Sequence, residues 1–307
     1  MPPVDVLRRH FLRYTLASVA AVAVAGAAGA ELVDRGVLPG KGMLDRLDGT
    51  CSVPAPDLTP YAVPGPSLSG TFYSQARNRS VGYTIAYPPG ARPDDRLPLV
   101  IMLHGYGGNH DNAVSGMSPA QALALRSAGG PLAPMAMVTV DGGDGYWNPH
   151  PGDDPMKMLT GELIPLCQRR GLGTASHRIG VMGISMGGYG ALLLAEKHPR
   201  LVAAVAAISP AIWTSYAQAK AANAGAYASA ADFAADDAVT HAAALAHLPV
   251  RVAAGYADPF YPGVRVLASV LPSGAVVDFG NGCHDGSFFT AQEPPSLAFL
   301  AGHLTPT

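Results

Sequence analysis

The sequence predicts an α/β fold, an open and mostly parallel sheet with helices on both faces, from three observations. Short aliphatic runs recur along the chain between longer amphipathic stretches, as expected for consecutive strand and helix units. The runs are short and rich in aliphatic or β-branched residues, as in strands that are covered on both faces. Each run ends at Gly, Asp, Ser or His, and the residues that follow parallel strands gather at one edge of a sheet.

The predicted strands and helices alternate along the chain. The strand segments, in order, are SVGYTIAYP, LPLVIMLHG, MAMVTVDGG, RIGVMGIS, VAAVAAIS, PVRVAAGYAD and AVVDFGNG. The helical segments lie at about 118–128, 155–170, 187–198, 229–246, 262–271 and 294–303. We interpret the Ala-rich stretch 217–246 as a helical insertion over the carboxyl edge of the sheet.

The composition is consistent with one large hydrophobic core and argues against nucleic acid as a partner. The chain has 307 residues, of which 49% are hydrophobic and only 14% charged, so it can bury a sizeable core. The formal net charge of −2 provides none of the basic field that drives nucleic-acid binding.

The first 30 residues are predicted to be a twin-arginine signal peptide. Arg8 and Arg9 precede an apolar stretch that ends in the A-x-A cleavage signal Ala28–Gly29–Ala30. We therefore expect an exported protein, either secreted or associated with the cell envelope. The alternative is an uncleaved membrane anchor, for which the stretch is short and weakly apolar.

A Pro-rich linker or tail is predicted over residues 31–69. Its prolines fix φ and remove backbone donors, so a packed helix or a central strand is not expected there. One folded domain is expected to span 70–307, where the alternating pattern begins.

A glycine-flanked serine interrupts the transition from a strand to a helix. Gly183–Ile184–Ser185–Met186–Gly187 fits G-x-S-x-G, with a predicted strand before it and a predicted helix after it. A tight turn of this kind lifts the hydroxyl above the sheet, and its neighbours must lack side chains. Ser185 is therefore predicted to be a nucleophile, and the alternative is a Gly-rich turn with a solvated serine.

A serine nucleophile requires a base and a carboxylate that orients the base. Asp258 ends one later predicted strand, and His284 lies in a Gly-flanked loop after the last strand. Both positions fall at the carboxyl edge where Ser185 is expected. Competing candidates follow downstream as well: Asp278, Asp285 and His303.

Two backbone amides are predicted to stabilise the oxyanion. Tyr106 follows the strand that ends in Leu103–His104–Gly105, and Met186 follows the nucleophile directly. The segment HGYGGNHD has two alternative interpretations, a plain turn or a metal loop that uses His104, His110 and Asp111. Its spacing fits no known His/Cys metal pattern, so neither a metal nor another cofactor is expected.

The three cysteines make a disulfide plausible in an exported protein, and the odd count leaves at least one unpaired. Cys167 lies in a helical pattern and is expected to be a small buried residue. A bridge between Cys51 and Cys283 is one pairing that would attach the tail beside the candidate site.

The motifs VMGISMGGYGALLLA, LHGYGGN, GYADPF and GCHDGSFF together resemble the esterase D group of α/β-hydrolases. That group includes S-formylglutathione hydrolases, feruloyl esterase-like enzymes and mycolyltransferases. The resemblance covers about residues 70–305 and implies the α/β-hydrolase fold, an acyl-serine intermediate and no cofactor. It assigns the triad to Ser185, Asp258 and His284, and the oxyanion amides to Tyr106 and Met186.

The expected function is an exported serine carboxylesterase that acts on a small-molecule or lipid ester. Acyl transfer to cell-envelope sugars or lipids is the first alternative, and a catalytically silent binding module on the same scaffold is the second. The predicted export leader sets the chain apart from the cytoplasmic S-formylglutathione hydrolases. The candidate pocket residues are His104, Trp147, Trp213, Phe260 and Phe288.

Overall fold

The computed structural model describes residues 41–127, 130–173 and 178–304. The predicted signal peptide, residues 1–30, lies outside the described residues. The chain divides into two compact units with the boundary after Ser52. The described part of the first unit contains helix α1, Lys41–Leu47. The domain boundary expected at residue 70 stays a prediction.

The second unit is built on an eight-stranded sheet whose order is β1-β2-β6-β3-β7-β8-β9-β10. The short strands β4 and β5 form a separate antiparallel pair. The strands are β1 Ser67–Ser74, β2 Arg79–Ala86, β3 Leu99–Leu103, β4 Arg126–Ser127, β5 Gly130–Pro131, β6 Ala136–Val140, β7 Ile179–Ile184, β8 Val202–Ile208, β9 Val250–Gly255 and β10 Val276–Gly280.

Five parallel strands of the sheet are buried on both faces, as their apolar runs predict, whereas the edge strand β10 is partly exposed. Every residue of β3, β6, β7, β8 and β9 is buried. In β3, Leu99 and Ile101 belong to one hydrophobic core, whereas Val100 and Met102 belong to the other. Successive side chains of a strand point to opposite faces, so the sheet separates two cores.

The helices cover both cores. A π-helical segment, Leu159–Leu163, joins α3 to α4, and a 3₁₀ segment, Ala242–Leu245, follows α8. The helices of the second unit are α2 Pro119–Leu123, α3 Pro155–Met158, α4 Ile164–Arg169, α5 Met186–Lys197, α6 Tyr216–Ala222, α7 Ala230–Ala235, α8 Ala238–His241, α9 Tyr261–Val270 and α10 Gly286–His303. In the part of the chain that the structure describes, no helix is long and apolar enough to cross a bilayer.

Several elements differ from the sequence-based expectation. Helix α1 lies within the segment 31–69, where no packed helix is expected. The helix expected at 229–246 is divided into α7, α8 and a 3₁₀ segment. Strand β1 begins at Ser67, inside the predicted tail, and pairs antiparallel with β2; only one of its two faces is partly buried. Helix α10 begins at Gly286, eight residues before the expected start. Asp285 caps it by accepting the N–H groups of Ser287 and Phe288, and the helix continues through Pro294 and Pro295.

Candidate active site

Ser185 lies in a sharp turn between β7 and α5, at the carboxyl edge of the sheet. Its backbone has φ 57° and ψ −119°, a conformation that is strained for a residue with a side chain. A Cβ on Gly183 would lie 2.2 Å from the Gly187 carbonyl oxygen, and a Cβ on Gly187 would lie 2.0 Å from the Leu103 carbonyl oxygen. Only glycine fits at either position, so these residues allow the tight turn that exposes Ser185 Oγ.

Ser185, His284 and Asp258 form a continuous hydrogen-bonded chain. His284 Nε2 lies 2.8 Å from Ser185 Oγ, and His284 Nδ1 lies 2.8 Å from Asp258 Oδ2. The Asp258 side chain is fully buried, and its Oδ1 accepts the Phe260 N–H at 2.8 Å. An ionised Asp258 has only acceptors, so Nδ1 carries the proton and Nε2 accepts from the serine hydroxyl. This arrangement can take the hydroxyl proton.

Aromatic rings on two sides restrain the His284 imidazole. Phe260 and Phe289 each have a ring centroid 5.0 Å from that of His284, in edge-to-face geometry. Trp213 packs in turn on Phe260 at 4.7 Å. The histidine ring is therefore positioned by packing as well as by its two hydrogen bonds.

Two backbone N–H groups near Ser185 are free to bind an oxyanion. Met186 is the first residue of α5, so its N–H has no partner within the helix. The Tyr106 N–H has no acceptor among the described residues. The Tyr106 turn is fixed by the Gly108 N–H, which donates to the Gly105 oxygen at 3.0 Å, and by the Gly107 N–H, which donates to Asp144 Oδ1 at 2.7 Å.

The loop that follows β3 is attached to the neighbouring strands by Asp141. The two Asp141 oxygens accept the N–H groups of His110 and Gly82, each at 2.9 Å. Thr139 Oγ1 donates to the His110 carbonyl oxygen at 2.6 Å. Among the described residues, no group of three or more His, Cys, Asp or Glu side chains is arranged to hold a metal ion.

An open cavity of about 540 Å³ lies above Ser185. Small residues from the loops after β3 form most of its wall, and His284 and Phe289 complete it. The lining residues are Gly105, Tyr106, Gly107, Gly108, Asn112, Ala113, Val114, Ser115, Gly116, Ile184, Ser185, His284 and Phe289. The loop 112–116 was not identified from the sequence, since its small and apolar residues carry no motif.

The structure places three of the five expected pocket residues inside the fold and not on the cavity wall. Trp147 and Phe288 are buried core residues. His104 is buried, and both of its ring nitrogens are occupied, because Nδ1 donates to the Gly105 oxygen at 2.7 Å and Nε2 accepts the Gly142 N–H at 2.8 Å. Burial lowers the pKa of His104, so its imidazole is neutral.

The other two pocket candidates, Trp213 and Phe260, lie behind His284: Phe260 contacts the His284 ring, and Trp213 packs on Phe260. Phe289, the sequence neighbour of Phe288, lines the cavity instead. Adjacent helical residues point about 100° apart, so one faces the cavity and the other the core.

The competing acid and base candidates have other partners. Asp278 accepts from Arg251 at 2.7 Å, and Asp285 caps α10. His303 Nδ1 donates to the Phe299 carbonyl oxygen at 2.7 Å. None of the three contacts Ser185.

The cysteines differ in oxidation state. Cys51 and Cys283 are disulfide-bonded, whereas Cys167 is a free and buried thiol. Burial raises the pKa of Cys167 to about 12.

Solved structures of esterases share this fold. A ferulic acid esterase aligns with a TM-score of 0.66 at 18% identity, over 78% of this chain and 99% of its own. The S-formylglutathione hydrolase of Agrobacterium tumefaciens aligns with a TM-score of 0.62 at 19% identity, over 80% of this chain and 97% of its own. Mycobacterium tuberculosis MPT51 aligns with a TM-score of 0.59 at 17% identity, over 78% of this chain and 99% of its own. The sequence matches no curated protein.

The family model described as "Putative esterase" matches residues 74–268, more than half of the chain. The match includes Ser185 and Asp258 and ends before His284. The protein therefore belongs to this esterase family and has the α/β-hydrolase fold.

Proposed function

We propose that the protein is an exported serine carboxylesterase that works through an acyl-serine intermediate. The observation that carries the proposal is the chain of two 2.8 Å hydrogen bonds from Ser185 through His284 to the buried Asp258, at the base of an open cavity. Membership of the esterase family supports the same reaction class.

In the first half of the reaction, Ser185 Oγ attacks the carbonyl carbon of the ester and His284 Nε2 takes the serine proton. The N–H groups of Tyr106 and Met186 bind the resulting oxyanion, a contact for which removal of one donor typically costs about 10² to 10³ in rate. His284 then returns the proton to the alkoxide leaving group, and the alcohol departs. Asp258 keeps Nδ1 protonated throughout.

In the second half, water attacks the acyl-serine carbonyl and His284 takes one of its protons. Collapse of the second tetrahedral intermediate releases the carboxylic acid and returns the proton to Ser185. An acceptor alcohol in place of water would give acyl transfer with the same proton movements. The structural neighbours described as a ferulic acid esterase and an S-formylglutathione hydrolase suggest that oxygen esters and thioesters both belong in a substrate panel.

Labelling by a fluorophosphonate, together with hydrolysis of p-nitrophenyl esters, tests the proposal. The native chain should be labelled and active, and Ser185→Ala should lose both properties. Ser269→Ala is the matched control, because Ser269 is exposed on α9 and its Oγ donates only to the Val266 oxygen. A folded native chain that is neither labelled nor active would instead favour a silent binding module. A new ester product on addition of acceptor alcohols would favour transfer.

Export is the second part of the proposal and rests on the predicted leader. We expect the mature chain in the extracytoplasmic fraction of an expressing cell. Replacement of Arg8 and Arg9 by lysine should retain the precursor in the cytoplasm. Equal export of the variant would contradict the twin-arginine route.

A further inference from the structure

One wall of the catalytic cavity is formed by the loop 112–116. Asn112, Ala113, Val114, Ser115 and Gly116 all line the cavity, and none of them belongs to a helix or strand. A segment without regular backbone hydrogen bonds depends on contacts with its surroundings for a fixed position.

Helix α10 provides those contacts through two side chains one turn apart. Glu293 Oε1 accepts the Ser115 N–H at 2.6 Å. Thr290 Oγ1 lies 3.1 Å from Ser115 Oγ and 3.4 Å from the Ser115 carbonyl oxygen. A Cβ on Gly116, whose φ is +70°, would lie 3.3 Å from Thr290 Oγ1, so the loop packs closely on the helix. Ser115 is therefore held at its N–H, its side chain and its carbonyl group.

The same helix also fixes the opposite side of the cavity. Helix α10 begins two residues after His284, and its Phe289 both lines the cavity and contacts the His284 ring. Phe289, Thr290 and Glu293 occupy neighbouring positions on one helical face. The distance between the loop wall and the catalytic histidine is thus set by one rigid element.

A carboxyl group is costly to bury, so packing by itself does not explain why a glutamate occupies position 293. Glu293 is completely buried, and its Oε2 has no hydrogen-bond partner among the described residues. Burial raises its pKa to about 8, which reflects the cost of ionising it in this environment. What the side chain supplies is an acceptor for a backbone N–H that would otherwise lie unpaired behind the cavity wall.

We propose that Glu293 is a positioning residue that, together with Thr290, holds the loop 112–116 and so sets the acyl-group selectivity of the enzyme. The inference rests on the proposed esterase function, because selectivity is defined only for an active enzyme. It adds a role for the terminal helix: Glu293 does not touch the substrate and acts through the position of Ser115.

The test compares acyl-chain profiles of the wild type and three variants. Glu293→Leu removes the acceptor and keeps an apolar side chain in the buried site, Glu293→Gln keeps an acceptor oxygen, and Thr290→Val removes only the hydroxyl. The measurement is kcat and KM for p-nitrophenyl acetate, butyrate and octanoate, together with the fluorophosphonate labelling rate. Glu196→Gln is the control, because Glu196 is another buried carboxyl but lies on α5, outside the cavity wall.

In Glu293→Leu we expect the spread of kcat/KM across the three esters to shrink at least fivefold, mainly through KM. The labelling rate and kcat for acetate should remain within threefold of wild type. Glu293→Gln should restore the wild-type profile, Thr290→Val should shift it in the same direction by a smaller factor, and Glu196→Gln should leave it unchanged.

An unchanged profile in folded Glu293→Leu would overturn the inference, and so would an equal loss of kcat for all three esters. If Glu293→Leu does not fold, an unaltered profile in Thr290→Val has the same meaning. A wild type that is neither labelled nor active refutes the proposed function itself, and this outcome is recognised before any variant is compared.

Discussion

Replacement of Glu196 by glutamine should stabilise the protein by an amount that depends on pH. Glu196 lies near the end of α5 and is only 7% exposed, and neither of its carboxyl oxygens has a partner among the described residues. Burial is the main cause that raises its pKa to about 9, and the charge of Asp237 adds to the effect. Glutamine has nearly the same shape as the protonated acid and does not ionise.

The size of the effect follows from the two pKa values of Glu196. In the unfolded chain the carboxyl loses its proton near pH 4.5, whereas in the folded protein it does so near pH 9. Between these values the folded state binds more protons, so stability falls as pH rises, by about 1.4 kcal/mol per pH unit. The loss of stability caused by Glu196 is absent well below pH 4.5 and reaches about 3 kcal/mol at pH 7. Above pH 9 this loss no longer increases.

Urea unfolding at pH 5, 7 and 8.5 measures this difference. Relative to wild type, the free energy of unfolding of Glu196→Gln should be higher by less than about 1 kcal/mol at pH 5, by about 3 kcal/mol at pH 7 and by about 5 kcal/mol at pH 8.5. Esterase activity should persist, because Glu196 lies 11 residues after Ser185, or about 16 Å along the helix. Asp94→Asn is the control, since Asp94 is exposed and its replacement should change stability by less than about 0.5 kcal/mol. A gain that is the same at all three pH values, or a loss at pH 8.5, would refute the reasoning.

Three further experiments test the proposed site, the turn at Ser185 and the state of the cysteines. Asp258→Asn should lower kcat for p-nitrophenyl acetate by about 10³ to 10⁴, because the His284 tautomer is no longer fixed, and a loss below tenfold would contradict that role. Gly187→Ala should lower the free energy of unfolding in urea by more than about 3 kcal/mol, because the new Cβ would lie 2.0 Å from the Leu103 carbonyl oxygen. A variant as stable as wild type would disprove this steric explanation. Iodoacetamide should spare Cys167 in the folded protein and add one label after unfolding without reductant, because the other two cysteines are disulfide-bonded; two or three labels on intact mass would contradict this.

Local sequence rules were sufficient to predict the turn at Ser185 and the positions of the parallel strands along the chain. Gly183 and Gly187 are required by contacts within a few residues of Ser185 and with the adjacent strand, so the motif itself carries the geometry. Asp258 and His284 could be placed beside Ser185 from the sequence, because the carboxyl ends of parallel strands lie at one edge of a sheet. Strand β1 was missed because its sequence is polar and half-exposed and lacks the apolar run used to find the others, although it forms a hairpin with β2.

Side-chain direction was the part that the sequence did not determine. Phe288 and Phe289 both follow the last strand, so the sequence places both of them near the carboxyl edge of the sheet. The rotation of α10 about its axis decides which of the two side chains faces the cavity. His104 follows a strand as a surface residue would, yet two backbone groups hold its ring inside. Glu196 and Glu293 lie in segments with ordinary helical patterns, and nothing in those patterns distinguishes a buried carboxyl from a solvated one.

The distribution of the site over the sheet has a consequence for how the protein acquires its activity. The proposed site residues follow four strands of the sheet: Tyr106 follows β3, Ser185 follows β7, Asp258 follows β9 and His284 follows β10, with β8 between β7 and β9. Every pairing among these five strands joins segments that are distant along the chain, and such contacts form slowly. A fragment that lacks any one of these strands should therefore not hydrolyse an ester, and catalysis should return after refolding no earlier than the last of these strands has docked. Recovery of activity would report completion of the sheet, whereas far-ultraviolet dichroism would already register its helices.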